Sequence, residues 1–193
     1  MYLIAGLGNP GKEYQNTRHN LGFLTLQALA RRHRLSIEKR KFKSHYGLGE
    51  ILAKKVILLT PLTYMNLSGL AVDSFLRYFQ ISSDDLIVIH DDLDLPWTRL
   101  RIANQGGAAG HKGILSIIDQ IQTRAFIRIR MGISRPPENI PPESYVLEPF
   151  SAQERKDLPL LIDRACDGIE VIIEQGITTA MNRYNGRKTN GEL

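Results

Sequence analysis

A chain of 193 residues, 42% hydrophobic and 23% charged, is long enough for one globular domain with a substantial core, and its composition is neither disordered nor collagen-like. Its 25 Lys and Arg against 20 Asp and Glu leave a net charge of +5, which favours an anionic partner, nucleic acid first. The single cysteine, Cys166, excludes an internal disulfide and a cysteine-built metal cage, and no apolar run approaches the ~20 residues that cross a bilayer, so the expectation is a soluble, cytoplasmic protein.

The first predicted element is a buried strand, Leu3 to Leu7, running into Gly6, Gly8, Asn9, Pro10 and Gly11. A strand that ends in such a turn leaves its carboxyl end open, where open α/β sheets place their ligands. His19, between Arg18 and Asn20, stands just before an amphipathic helix over Leu21 to Arg34, whose closing arginines suit the helix dipole. Glu38 to Lys43 reads as a charged connector. Tyr46 to Leu52 and Val56 to Thr60 read as strands around a turn at Ala53, Lys54 and Lys55, with Pro61 ending the second. A helix follows from about Asn66 to Phe79. The clearest buried strand is Leu86 to Ile89, which enters HDDLDLP; another, Leu100 to Ala103, enters the glycine-rich NQGGAAGHKG before a helix over Ile114 to Ile121.

Phe126 to Ile133 alternates apolar residues with Arg128, Arg130 and Gly132, as a strand with one buried face does. The prolines over 135–150 forbid regular structure and suggest a stiff loop at a cleft edge. Ser151 and Glu154 form a capping-box pattern for a helix toward Gln175, in which Cys166 reads as an inert core thiol. A last helix near Thr179 to Tyr184 leads to a polar tail, 185–193. Helices separate most strands, so the expected fold is α/β: a single domain, 1–193, with a mixed, mostly parallel twisted sheet and helices on both faces.

Three patterns carry chemistry. Gly6, Gly8 and Gly11 satisfy GxGxxG, but the polar KEYQNTRHN delays the helix that a dinucleotide site needs at its glycines, and no acidic residue ends a second strand about 20 residues on. Asp91, Asp92 and Asp94 follow a buried strand. They can hold a divalent cation, orient an imidazole, or merely shape the turn; for the second role Asp91, nearest the strand, is the best placed. With no GxSxG elbow, water is the expected nucleophile, and His19 is the candidate general base.

The carboxamides of Asn9 and Asn66 can read a peptide backbone or simply cap turns. Arg99, Arg101, Lys112, Arg128 and Arg130 form either one positive face for phosphates or a solvated surface.

Taken together, AGLGNPGKEYQNTRHNLGF, PLTYMNLSG, IHDDLDLP, GGAAGHKGI and RIRMGI, in this order and spacing, closely resemble the bacterial-type peptidyl-tRNA hydrolases from about Leu3 to Arg183. The resemblance implies a monomeric α/β enzyme, without metal or cofactor, that hydrolyses the ester joining a peptide to the tRNA 3′ end. It implies that His19 is the base and Asp91 the carboxylate that holds it. Asn9, Tyr14, Tyr64, Met65, Asn66 and Lys112 are then the substrate-binding set, and Arg99, Arg101, Lys112 and Arg130 the tRNA-binding set. Two departures stand out: Lys112 replaces the Asn of GGHNG, and Ala103 and Gln105 stand where many members are basic. Plant chloroplast relatives act in intron splicing, which makes a non-catalytic RNA-binding protein the alternative.

Overall fold

In the computed structural model, which describes residues 1–186, seven strands form one sheet in the order β2-β3-β4-β1-β5-β7-β6. They are β1 (Tyr2–Gly6), β2 (Lys39–Lys41), β3 (Ser44–Ile51), β4 (Lys54–Pro61), β5 (Leu86–Asp92), β6 (Leu100–Gln105) and β7 (Ala125–Gly132). The central β4, β1, β5 and β7 are parallel; β3 and β6 run against them, and β2 against β3. Five of the seven strands therefore point the same way.

Alternation along the central strands splits the core in two. Ile4, Ile87 and Ile89 face α1 (Leu21–Arg32), and beyond it α5 (Ala152–Gln175) and α6 (Ile177–Asn185). Leu3, Ala5, Leu86 and Val88 face α2 (Ser68–Phe79) and α3 (Lys112–Ile121). Burial on both faces is why these strands read as continuous apolar runs. At Gly22 the first turn of α1 settles onto the sheet so closely that a Cβ would overlap Ile89 O and Leu7 N, and this contact brings the residues just before α1 to the end of β5.

Three local expectations change. The charged stretch before Lys43 is not a connector, since Lys39–Lys41 pairs antiparallel with β3 as an edge strand. The β3–β4 turn falls at Leu52 and Ala53, both left-handed at φ 49° and 59°, so the hairpin turns without the glycine or asparagine that marks such turns in a sequence. Within the proline-rich stretch, Pro142–Tyr145 forms one helical turn, α4, because proline is tolerated in a first turn where its missing N–H costs nothing. The polar tail lies almost wholly outside the described residues.

Candidate active site

The carboxyl ends of β1 and β5 frame a cleft of about 670 Å³. His19 reaches it from a single turn of 3-10 helix, Arg18–Asn20, and Asp91 from the last residues of β5. Although 72 residues apart, they meet: His19 Nδ1 stands 3.0 Å from both oxygens of Asp91. Asp91 is almost fully buried. Burial alone raises a carboxyl pKa, but His19 and His111 outweigh it and hold Asp91 far below the usual carboxylate range. An ionised Asp91 accepts the Nδ1 proton of His19 and leaves Nε2, on a ring that lines the cleft, without a protein partner among the described residues.

His111, in the glycine-rich loop before α3, enters the same cluster. Its Nδ1 accepts from Gly113 N–H and Ile114 N–H, at 3.1 and 3.3 Å, and so caps α3. That ties the ring to one tautomer: Nε2 carries the proton and donates it to Asp91 Oδ1 at 3.0 Å. His19, Asp91 and His111 come close enough to hold a metal ion, their ligand atoms lying within 4.8 Å of one another. Ligation through His111 Nε2 would move its proton to Nδ1, against two backbone N–H groups, so the donor set fits a hydrogen-bonded triad better than a metal. The usable signal in the sequence was a polar residue directly before a helical run, the mark of an N-cap.

The two carboxamides differ. Asn9 is clamped through its backbone by Asn20, which accepts from Asn9 N–H and donates to Asn9 O, both at 2.9 Å. Its Oδ1 accepts from Met65 N–H at 2.8 Å, so Nδ2 is the end left to donate. Asn66 is exposed on the cleft wall with Tyr64 and buried Met65; Tyr14 and Lys112 complete that lining. Asn20 holds the site together yet was singled out only as a neighbour of His19.

The opposite border is the segment after α4. His19 N–H donates to Val146 O, Arg18 N–H to Glu148 O and Phe150 N–H to Asn16 O, while Val146 and Leu147 line the cleft. Arg18, buried beside His19, stacks on Tyr145 at 4.0 Å and donates from Nε and Nη2 to Glu154, both at 2.9 Å.

The basic residues divide. Arg101 and Arg130 are cross-strand partners, and Arg130 Nε donates to Asp92 at 2.6 Å, so Asp92 is a buried anchor and does more than shape the turn. Asp92 thus offsets the Arg130 charge, whereas Arg101 opposite forms no ion pair among the described residues. Arg128 is buried and holds the carbonyls of Gly106 and Gly107, its pKa pushed down to about 10 by burial and by Arg130 and Arg124. Arg99 donates from Nη2 to Asn185 O and Gly186 O at the end of α6. The face is therefore narrower than five residues.

The family model for peptidyl-tRNA hydrolase matches residues 3–192. The chain belongs to that family. A peptidyl-tRNA hydrolase of Clostridium botulinum (strain Alaska E43 / Type E3) is 46% identical over 193 residues, the full length of both chains. One from Chloroflexus aurantiacus (strain ATCC 29366 / DSM 635 / J-10-fl) is 46% identical over 186 residues, 96% of this chain and 99% of its own. Among solved structures, the peptidyl-tRNA hydrolase of Acinetobacter baumannii superposes with a TM-score of 0.91 at 35% identity, covering 96% of this chain and 95% of its own. The mixed sheet with helices on both faces is thus the architecture of a peptidyl-tRNA hydrolase.

Proposed function

We propose that this chain hydrolyses the ester between the peptide and the terminal ribose of peptidyl-tRNA, releasing free peptide and tRNA, and that it does so as a cytoplasmic monomer. The observation that carries the mechanism is the bond from His19 Nδ1 to a buried, ionised Asp91, with Nε2 left toward the cleft. His19 Nε2 takes a proton from water as the water attacks the ester carbonyl, and Asp91 stabilises the imidazolium that forms. The tetrahedral oxyanion lies within reach of Asn9 Nδ2, whose direction is set by the bond that Met65 N–H makes to Oδ1. Collapse expels the ribose oxygen, which recovers the proton from His19. An alkoxide of this kind leaves far more readily than the amide anion that cleavage of a peptide bond would expel, so one histidine serves both steps.

Asn66 reads the peptide amide, with Tyr14, Tyr64 and Met65 forming the wall around it. Arg101, Arg130 and Lys112 take tRNA phosphates, Arg101 with its charge unpaired and Arg130 with what its bond to Asp92 leaves free. Arg99 contributes only what its contact with α6 leaves free. The intron-splicing alternative finds no support among the relatives, which are named as hydrolases. Incubation with N-acetyl-aminoacyl-tRNA is expected to release tRNA. His19→Ala is expected to slow that release by about two decades or more while tRNA binding is kept; normal turnover by this variant would refute the assignment.

A further inference from the structure

A tRNA is far larger than the cleft that takes its ester, so most of it lies on the surrounding rim. Arg101, Arg130 and Lys112 occupy the β7–β6 side. The other side, at the β2 edge, carries a second group of cations with no use in the mechanism above. Lys39, Arg40 and Lys41 make up β2 and Lys43 follows in the turn; none of the four forms an ion pair among the described residues.

Two exposed aromatic rings stand among them. Phe42 is 39% exposed and Tyr78, from α2, 57%. Their centroids are 5.6 Å apart, and Lys41 Nζ lies 3.8 Å from the Tyr78 ring and 5.1 Å from that of Phe42. The turn presenting Phe42 is costly, since Phe42 and Lys43 are both left-handed at φ 46° and 52°, a region bulky side chains seldom enter. Its place is also specific. Lys43 O accepts from Leu62 N–H at 2.8 Å, and two to four residues further on Tyr64, Met65 and Asn66 form the cleft wall. The turn thus stands at the carboxyl edge of the sheet, on the same rim as His19, and four strand spacings, about 19 Å, separate β2 from β5.

Charged edge strands also serve to prevent edge-to-edge pairing. Lys39–Lys41 alone would meet that need, and it calls neither for exposed rings beside the cations nor for Lys43 beyond the strand. Unpaired cations interleaved with aromatic faces are the chemistry that grips an RNA strand, phosphates on the ammonium groups and sugars or bases on the rings.

We infer that the β2 edge is a second tRNA-contacting surface, where Lys41 and Lys43 take backbone phosphates of the acceptor arm and Tyr78 packs against its sugars or bases, so that the RNA is held on both sides of the cleft; Arg40, on the opposite face of the strand, donates to His45 instead. The identity of that RNA rests on the hydrolase reading.

The test compares two double variants of the full chain with equal loss of charge. Lys41→Gln/Lys43→Gln alters the β2 rim; Lys54→Gln/Lys55→Gln alters exposed lysines at the far, amino-terminal end of β4. The rim pair is expected to raise KM for N-acetyl-aminoacyl-tRNA about three- to tenfold at unchanged kcat, and to flatten the dependence of log kcat/KM on log salt by about 1 to 2 units, the scale of two lost phosphate contacts. The far pair is expected to change neither. The N-acetyl-aminoacyl ester of the trinucleotide CCA, too short to reach β2, is expected to be hydrolysed alike by all three proteins. Equal effects from both pairs, or an equal loss with the trinucleotide substrate, would overturn the inference. Should the wild type hydrolyse neither ester, the hydrolase reading falls, and filter retention of deacylated tRNA decides the surface: weaker retention by the rim pair alone sustains it, and equal retention sinks it.

Discussion

At the scale of single residues, the site depends on which nitrogen of each imidazole carries a proton. For His111 that choice is made by backbone amides: with Nδ1 accepting from Gly113 and Ile114, only Nε2 can donate to Asp91. Two jobs on one ring can be separated. His111→Ala loses both, and is expected to lower the melting temperature, with about 1 kcal/mol from the missing cap, and to lower kcat as Asp91 loses a donor. His111→Asn restores an N-cap but is too short to reach Asp91, so it is expected to recover the melting temperature and not the rate. Thermal melts beside steady-state kinetics on the two variants check this; joint recovery of both would show that the Asp91 contact is immaterial. His19 and Asp91 stood out in the sequence because one stands just before a helical run and the other directly follows a buried strand. Asn20 did not, because it holds the backbone of Asn9, and His111 offered only the weak mark of an N-cap, with its second partner, Asp91, 20 residues away.

At the scale of elements, α5 is set by its first turn. Ser151 accepts from Glu154 N–H while Glu154 accepts from Ser151 N–H, a capping box legible from the residues alone. What the spacing did not reveal is that the same carboxylate accepts from Arg18, next to His19, so the helix cap also anchors the turn that carries His19. Burial alone would raise the Glu154 pKa, but Arg18 and Ser151 outweigh it and hold it below the usual value. A carboxyl lowered in the folded state stabilises the protein above its unfolded pKa, near 4.3, and that contribution fades as pH falls through the lowered folded value. Glu154→Gln is therefore expected to melt lower at pH 7, and the gap from wild type to narrow as pH falls below about 4. Melting curves at a series of pH values measure it, and a gap independent of pH would remove Glu154 ionisation from the account. β2 went unread at this scale because its hairpin turn, Phe42 and Lys43, carries no glycine, and only pairing with β3 makes a strand of three charged residues.

For the whole molecule, the two-sided core makes Cys166 a reporter of global opening. It lies between α5 and α1, fully buried, with the thiol pushed up to about 12 chiefly by burial. Because the thiolate is the reactive species, labelling by a disulfide reagent in native buffer is expected to be slow and to accelerate only where denaturant unfolds the chain. Rapid labelling at neutral pH without denaturant would mean that the α1–α5 layer opens locally. The α/β class, nearly every element and the family were already determined by the sequence, since strand and helix periodicities, caps and short motifs are local properties written in neighbouring residues. Tertiary structure alone decided which basic side chains remain available, that Asp92 is an anchor, and that one ring both caps α3 and holds Asp91. Those outcomes depend on burial and on contacts between segments up to 87 residues apart, distances along the chain over which no local pattern extends.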